Sequence, residues 1–408
     1  MPEADSFPFQ GSTYLGPDPR FAQWRASQPV VRVATRSGGH AWLVTRYEDV
    51  RAAAADPRLS REAAYAPGAA QFDGLFQPPP GMVASLDPPA HTRLRRVADQ
   101  AFSPARIEAM RPRIRQTADD LLDDWAGKTP PIDLMAQFAS PLALTVICEL
   151  LGAPLDDRER FHGWVRQLAV VDGGQEAAAQ AQAQLGEYIA GLVAAKRQRP
   201  GDDVLSALAG AGHAGDRLTD QELVVFGWTL LGAGFDSTAG QIGLSVLALL
   251  AHYPQQWKRL HAHSEEIPST VEELLRGVNI HRSDTSGLPR IAMADIEIGG
   301  QVIPAGDAVF LAFTSANHDE TVFADPRRLD FARDAPNLAF GHGIHHCLGA
   351  PLARIELCVA LERLTQRFPG LCLAVAEPQL RWRVGDVNHT LLELPVAWPA
   401  PLSTATKE

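Results

Sequence analysis

The segment Phe340-Gly341-His342-Gly343-Ile344-His345-His346-Cys347-Leu348-Gly349-Ala350-Pro351 holds the densest chemistry in the chain. Gly341, Gly343 and Gly349 permit positive φ and let the backbone approach a flat ligand closely. Cys347 ends this loop just before a helix expected from Pro351, where the helix dipole and free N–H groups favour a thiolate. A single sulfur presented this way suits one coordination position of a metal. Cys148, Cys347, Cys358 and Cys372 show no C-x-x-C spacing, which excludes a disulfide framework or a Cys-rich zinc site. His342 and His346 beside Cys347 lack zinc-finger spacing. Cys148, Cys358 and Cys372 lie in apolar runs and read as small core residues.

Leu231-Gly232-Ala233-Gly234-Phe235-Asp236-Ser237-Thr238 sits in the middle of the most apolar helical stretch. Each glycine inside a helix costs roughly 1 kcal/mol relative to Ala, and buried Asp, Ser and Thr cost more unless hydrogen-bonded. Such local violations point to a functional groove. Glu273 and Arg276 are three apart, so on a helix they can pair. In Asp87-Pro88-Pro89-Ala90-His91-Thr92-Arg93-Leu94-Arg95, His91 and Arg95 share one helical face and suit a single carboxylate.

Several elements must position these residues. Val30–Thr35 and Ala41–Thr45 flank Ser37-Gly38-Gly39 as a hairpin, and Tyr47 to Asp56 reads as a helix. Residues 63–82 form a long loop. From Asp87 to about Asp203 the pattern is mainly helical, with Ser103-Pro104 as a helix start, an apolar run over Leu134–Leu151, a break at Asp172-Gly173-Gly174, and a helix over Gln175–Arg199. Thr219 or Asp220 caps a helix running to about His252, long enough to cross the molecule. A helix over Ser269–Arg276, strands at Ile296–Ile298 and Ala308–Ala312, a helix over Pro351–Arg367 and an extended tail at 369–400 follow. One α-dominated domain is expected over 1–408, with a hairpin and sheet region at about 28–60, a helical core at about 87–277 and the ligand loop at 340–350.

The 408 residues can bury a core large enough to enclose a cofactor. With 37 basic and 48 acidic residues the net charge is −11, which argues against nucleic acid as a general partner. The first twenty residues lack a basic region followed by an apolar one. No uninterrupted apolar run of about 20 residues suggests a bilayer span, so a cytoplasmic protein is expected.

The pattern F-G-x-G-x-H-x-C-x-G over Phe340–Gly349 resembles the haem-ligand loop of cytochromes P450 at every fixed position. The other segments quoted above follow in the family's order, and the resemblance covers most of the chain. It implies a mainly α fold with small β-sheets, haem b lying between the long central helix and the cysteine loop, and Cys347 as axial thiolate and metal ligand. An anionic sulfur opposite oxygen pushes electron density through iron and favours O–O cleavage. The resemblance further places His91, Arg95, Arg290 (in Leu288-Pro289-Arg290) and His345 on the haem propionates, with Ala233 and Phe340 against the haem. The segment at Leu231–Thr238 is similar to the family's oxygen-binding motif, with Asp236 as the acid and Ser237 as the alcohol that deliver protons. The family usually has Thr at the alcohol position, and Ser lacks the methyl group that restricts rotamers. Thr238 points about 100° further round the helix. Glu273–Arg276 resembles the family's structural pair.

The resemblance also implies a monooxygenase that uses O2 and two electrons from a ferredoxin and an NAD(P)H-dependent ferredoxin reductase. It would hydroxylate or epoxidise a hydrophobic small molecule in natural-product biosynthesis. A haem-thiolate peroxygenase, or a haem protein that binds ligand without turnover, is the alternative, and the Asp236–Ser237 relay separates the two. Arg93, Arg95, Arg96, Arg106, Arg111, Arg113 and Arg115 form a basic run. Arg111 and Arg113 would dock an acidic ferredoxin, unless these arginines pair with Asp99, Glu108 or the propionates. Substrate contacts are expected from 63–82, Val170–Gly174 and Ile280–Gly287. Tyr65, Phe72, Phe76, Val170 and Val171 would supply apolar surface, and Ser283, Asp284 and Thr285 a polar contact.

Overall fold

The structure is a computed structural model that describes residues 7–9, 11–35, 39–66, 78–125, 127–168, 175–210, 217–284, 288–383 and 388–399. The expected hairpin forms. Val30–Ala34 pairs antiparallel with His40–Val44, from Val30 opposite Val44 to Ala34 opposite His40, while Ser37 and Gly38 of its turn lie outside the described residues. This hairpin is one edge of a five-stranded sheet, continued by Ala308–Leu311, Arg290–Ala292 and Leu59–Ser60. His40–Val44 and Ala308–Leu311 run parallel, and the remaining pairs are antiparallel. Arg290 is thereby fixed in a short strand beside Val309. Ile296–Ile298 folds back on Gln301–Ile303 through Gly299 (φ 54°) and Gly300 (φ 77°), the two positive φ values a tight hairpin requires.

Helices dominate the remainder, as expected. A π-helical turn at Met135–Ala139 leads into Ser140–Leu151, whose side chains from Leu142 to Cys148 are all buried. Gln175–Gln198 and Ala350–Arg367 match the sequence expectation within a residue. Ser103 occupies the N-cap position before Pro104, but its side chain makes no capping bond. Thr219 forms a full capping box. Its Oγ1 accepts from the Glu222 N–H at 3.2 Å, and the Glu222 carboxylate accepts from the Thr219 N–H at 2.8 Å.

One boundary differs from expectation. The helix expected to run to His252 is two helices, Asp220–Gly234 and Asp236–His252, interrupted at Phe235 (φ −89°, ψ −67°). Gly232 and Gly234 weaken the helix there, while the apolar pattern continues through the break and hides it from periodicity. By length and mean hydropathy the stretch Asp220–His252 could cross a membrane, although Asp236 interrupts its apolar run, and 72% of its apolar window is buried inside the protein, as in a core helix. Its second half is buried on every side from Thr238 to Leu249. It packs with Ser140–Leu151, Ile267–Gly277 and Ala350–Arg367 in the main core. Burial of each large aliphatic side chain contributes about 1.5–3 kcal/mol, so this core is a rigid platform for the loop that precedes Ala350.

Candidate active site

The cysteine loop is held by backbone geometry. Gly341 and Gly343 adopt φ values of 73° and 74°, which a side chain would strain. A Cβ on Gly343 would also lie 2.6 Å from the Ala54 carbonyl oxygen, so the helix Tyr47–Ala55 packs directly on the loop. The Cys347 N–H donates to the Phe340 carbonyl at 2.9 Å, closing the loop on itself. Arg354 lies 4.6 Å over the Phe340 ring and tethers the loop to the following helix. Cys347 keeps accessible surface, with surrounding protein that desolvates its thiol. That desolvation raises its thiol pKa, and the backbone N–H groups of Gly349 and Ala350 act in the opposite direction.

Beside the loop the fold gathers buried cationic and polar groups. His91 is buried, and its ring meets that of His345 edge to face at 4.6 Å. Burial lowers the His345 pKa, and the charges of Arg61, His91, Arg290 and Arg95 lower it further. Arg290 is 2% exposed and Arg61 5% exposed. Burial brings the Arg61 pKa down to about 10 and holds that of Arg290 well below its ordinary value, with Arg61 adding to the latter effect. The Arg61 Nε, Tyr65 Oη, His91 Nδ1, Arg290 Nη1 and Nη2 and His345 Nδ1 atoms are all buried without a protein hydrogen-bond partner. A native protein does not bury several donors unpaired, and it buries guanidinium groups only against anions. The donor set therefore fits an anionic group with carboxylates at this face, and a single sulfur ligand stands beside it. A haem, with two propionates and one axial position for Cys347, meets both requirements.

Arg95 also contacts the cysteine loop itself. Its Nη1 donates to the His346 carbonyl at 2.6 Å and its Nε to Asp99 at 2.8 Å, so it clamps the cysteine loop while its charge still bears on His345. Arg61 was not singled out from the sequence, and Tyr65 was expected only as apolar substrate surface. They follow a two-residue strand with no motif spacing, and only the fold brings them to Arg290. Tyr65 thus belongs to the cation cluster and not to a substrate wall.

At the helix break, Ala233, Asp236 and Ser237 come together. The Ser237 hydroxyl donates to the Ala233 carbonyl at 2.6 Å. Asp236 opens the second helix, and Thr238 turns into the core, 6% exposed, as the helical rotation predicts. Nothing lies within 4 Å of a Cβ built on Gly232, so the space beside that position is open.

Residues 175–379 match the family described as Cytochrome P450. Nocardicin C N-oxygenase of Nocardia uniformis is 43% identical over 397 residues, covering 96% of this chain and 98% of that protein. The chain belongs to the cytochrome P450 family. Mycinamicin IV hydroxylase/epoxidase of Micromonospora griseorubida is 42% identical, covering 97% of this chain and 99% of that protein. The solved structure of the LnmA cytochrome P450 hydroxylase from Streptomyces atroolivaceus superposes with a TM-score of 0.88 at 43% identity, covering 96% of this chain and 99% of that one. The mainly α fold with small sheets is therefore the cytochrome P450 fold, its cofactor is a haem-thiolate, and the protein is a cytochrome P450 monooxygenase.

Other sequence expectations for this P450 fare unevenly. Glu273 and Arg276 form a buried ion pair at 2.7 Å with side chains 2% and 1% exposed. Arg276 also donates to the carbonyls of Asn317, Pro326 and Arg328, which fixes the segment leading to the cysteine loop. The basic run is largely neutralised. Arg93 pairs with Glu222, Arg95 with Asp99, Arg106 with Asp202, Arg111 with Glu108, Arg113 with Glu149 and Arg115 with Glu362. Asp284 does not face a substrate. It is 1% exposed, and its carboxylate accepts from Ser12 Oγ at 2.7 Å, Asn279 Nδ2 at 2.9 Å and the Asp18 N–H at 3.2 Å. Phe72, Phe76, Val170, Val171 and Thr285 lie outside the described residues. Cys148 is buried as expected, but Cys358 is half-buried and Cys372 exposed, its thiol donating to the Ala397 carbonyl at 3.4 Å.

Proposed function

We propose that Cys347 is the axial thiolate of haem b, that Arg61, His91, Arg95, Arg290 and His345 receive its propionates, and that Ala233 and Phe340 line it. The single observation that carries this reading is the set of buried, unpartnered donors gathered next to the one cysteine presented by a Gly-rich loop. When bound, haem supplies the redox chemistry that activates O2 for insertion of one oxygen atom into the substrate. The chain's own residues supply position and protons. Arg95 and Arg354 hold the cysteine loop in register. Ser237 keeps its proton on the Ala233 carbonyl and, lacking the methyl of Thr, rotates readily to offer it to the groove. Asp236, at the break in the helix, reloads that hydroxyl from solvent. The apolar core behind Thr238–Leu249 keeps other water out.

The substrate is a hydrophobic secondary-metabolite intermediate, which the enzyme hydroxylates or epoxidises. The relatives named for action on nocardicin C and mycinamicin IV support this class. Electrons come from a ferredoxin served by an NAD(P)H-dependent reductase, and the whole chain of 1–408 acts as one cytoplasmic catalytic domain. Arg111 and Arg113 contribute to ferredoxin docking through exposed pairs that an acidic partner can compete for. The test is a screen for low- to high-spin shifts of the purified holoprotein with hydrophobic natural products, including nocardicin C and mycinamicin IV, followed by product analysis with O2 and a ferredoxin system. A spin shift coupled to an oxygenated product supports the reading. Turnover with hydrogen peroxide alone, and none with electrons and O2, would overturn it in favour of a peroxygenase.

A further inference from the structure

Asp236 meets a charged partner from a distant part of the chain. Arg383 Nη1 lies 3.9 Å from Asp236 Oδ1, and the two side chains are 18% and 15% exposed, so the pair is shielded from bulk water. At that separation the guanidinium attracts the carboxylate through space. A carboxylate in the first turn of a helix is otherwise drawn to its own helix N–H groups.

Arg383 itself is firmly placed. Its N–H donates to the Thr390 carbonyl at 2.8 Å, and its carbonyl accepts from Arg282 Nη1 at 3.4 Å. Trp382 bridges to Leu391 and His281 to Asn388, and the His389 N–H donates to the Ile280 carbonyl at 2.7 Å. The arms at 382–383 and 388–391 therefore form a C-terminal hairpin stitched to residues 280–282, and Arg383 reaches from it to the helix break.

We propose that Arg383 is the positioning residue for the Asp236 carboxylate, fastening the C-terminal hairpin to the break in the central helix so that the acid faces the groove. The proposal rests on the reading of Asp236 as the acid that supplies protons during oxygen activation. Loss of Arg383 removes this attraction and biases the carboxylate toward its own helix, and proton delivery becomes erratic. Electrons drawn from NAD(P)H then leave as hydrogen peroxide in place of oxygenated product.

The experiment compares holoenzymes carrying Asp236→Asn, Arg383→Gln, Arg383→Lys and the double Asp236→Asn/Arg383→Gln, each reduced through a ferredoxin and its reductase. The readout is hydrogen peroxide released per NAD(P)H consumed, alongside urea unfolding of the same four proteins. Asp236→Asn and Arg383→Gln should each raise the peroxide fraction severalfold, the double should exceed Asp236→Asn by little, and Arg383→Lys should restore most of the parent ratio. The unfolding free energies should couple as well, the double losing less than the sum of the singles. If Asp236→Asn raises peroxide but Arg383→Gln does not, or if the two effects add in full, Arg383 does not act through Asp236 and the proposal falls while the acid's role stands. If Asp236→Asn leaves the peroxide fraction unchanged, the acid's role fails first and takes the proposal with it.

Discussion

Replacing Glu273 by Gln removes a buried charge without changing its shape. The carboxylate accepts from Arg276 at 2.7 and 2.8 Å, from the Asp330 N–H at 2.8 Å and from Arg333 at 3.3 Å. An amide keeps one accepting oxygen, so roughly one or two of the charge-assisted bonds are lost, each about 1.5–3 kcal/mol. Arg276 retains its carbonyl acceptors on Asn317, Pro326 and Arg328 but faces them 2% exposed with no compensating anion. The expected loss of folding stability is therefore about 3–5 kcal/mol, the range for a broken buried pair. Urea unfolding followed by far-ultraviolet circular dichroism measures it. Glu273→Gln combined with Arg276→Met should lose less than the sum of the single changes, because the second removes the cation the first strands. A loss below about 1 kcal/mol, or full additivity in the double variant, would refute the assignment of this pair as the fastening of the cysteine-side core.

Arg290→Leu removes two buried donors that have no protein partner. If they hold a propionate, haem transfer to a competing apoprotein should show retention weakened by roughly 100-fold or more, the equivalent of two lost charge-assisted bonds. Ser237→Thr adds the methyl that restricts the hydroxyl rotamer, and should lower the hydrogen peroxide released per NAD(P)H consumed in a stopped-assay peroxide determination. Glu356 is buried with Oε2 unpartnered, and burial raises its pKa well above the carboxylate range. The folded chain therefore holds a proton that the unfolded chain releases near its ordinary pKa of about 4.3, so stability falls as pH rises past that value toward the folded pKa. Glu356→Gln abolishes this dependence, and its unfolding free energy relative to the parent should improve steadily from about pH 4 upward.

What the sequence made legible was local. The cysteine loop could be read because glycines, a lone Cys and a following helix start lie within a dozen residues, and the helix start at Thr219–Asp220 because capping residues stand directly before an apolar run. The first hairpin and most of the long helices followed from residue type and hydrophobic period. Contacts made only by folding stayed hidden. Arg61 reaches Arg290 through a two-residue strand, and Arg383 reaches Asp236 from the far end of the chain, with no spacing to announce either. The break at Phe235 was signalled only by Gly232 and Gly234, because apolar residues continue on both sides. Asp284 was misread because a polar residue in a pocket-forming segment can turn either way, and here Ser12, Asp18 and Asn279 draw it inward. Cys372 was misread as core because its two-residue strand lies in a small sheet that leaves its side chain exposed.

The most direct measurement is the carbon monoxide difference spectrum of the reduced holoprotein, taken on the parent and on Cys347→His. Thiolate ligation by Cys347 predicts the strongly red-shifted Soret band of a haem-thiolate in the parent, and a band at the imidazole-ligated position in the variant. A red-shifted thiolate band that persists without the Cys347 sulfur would contradict the account.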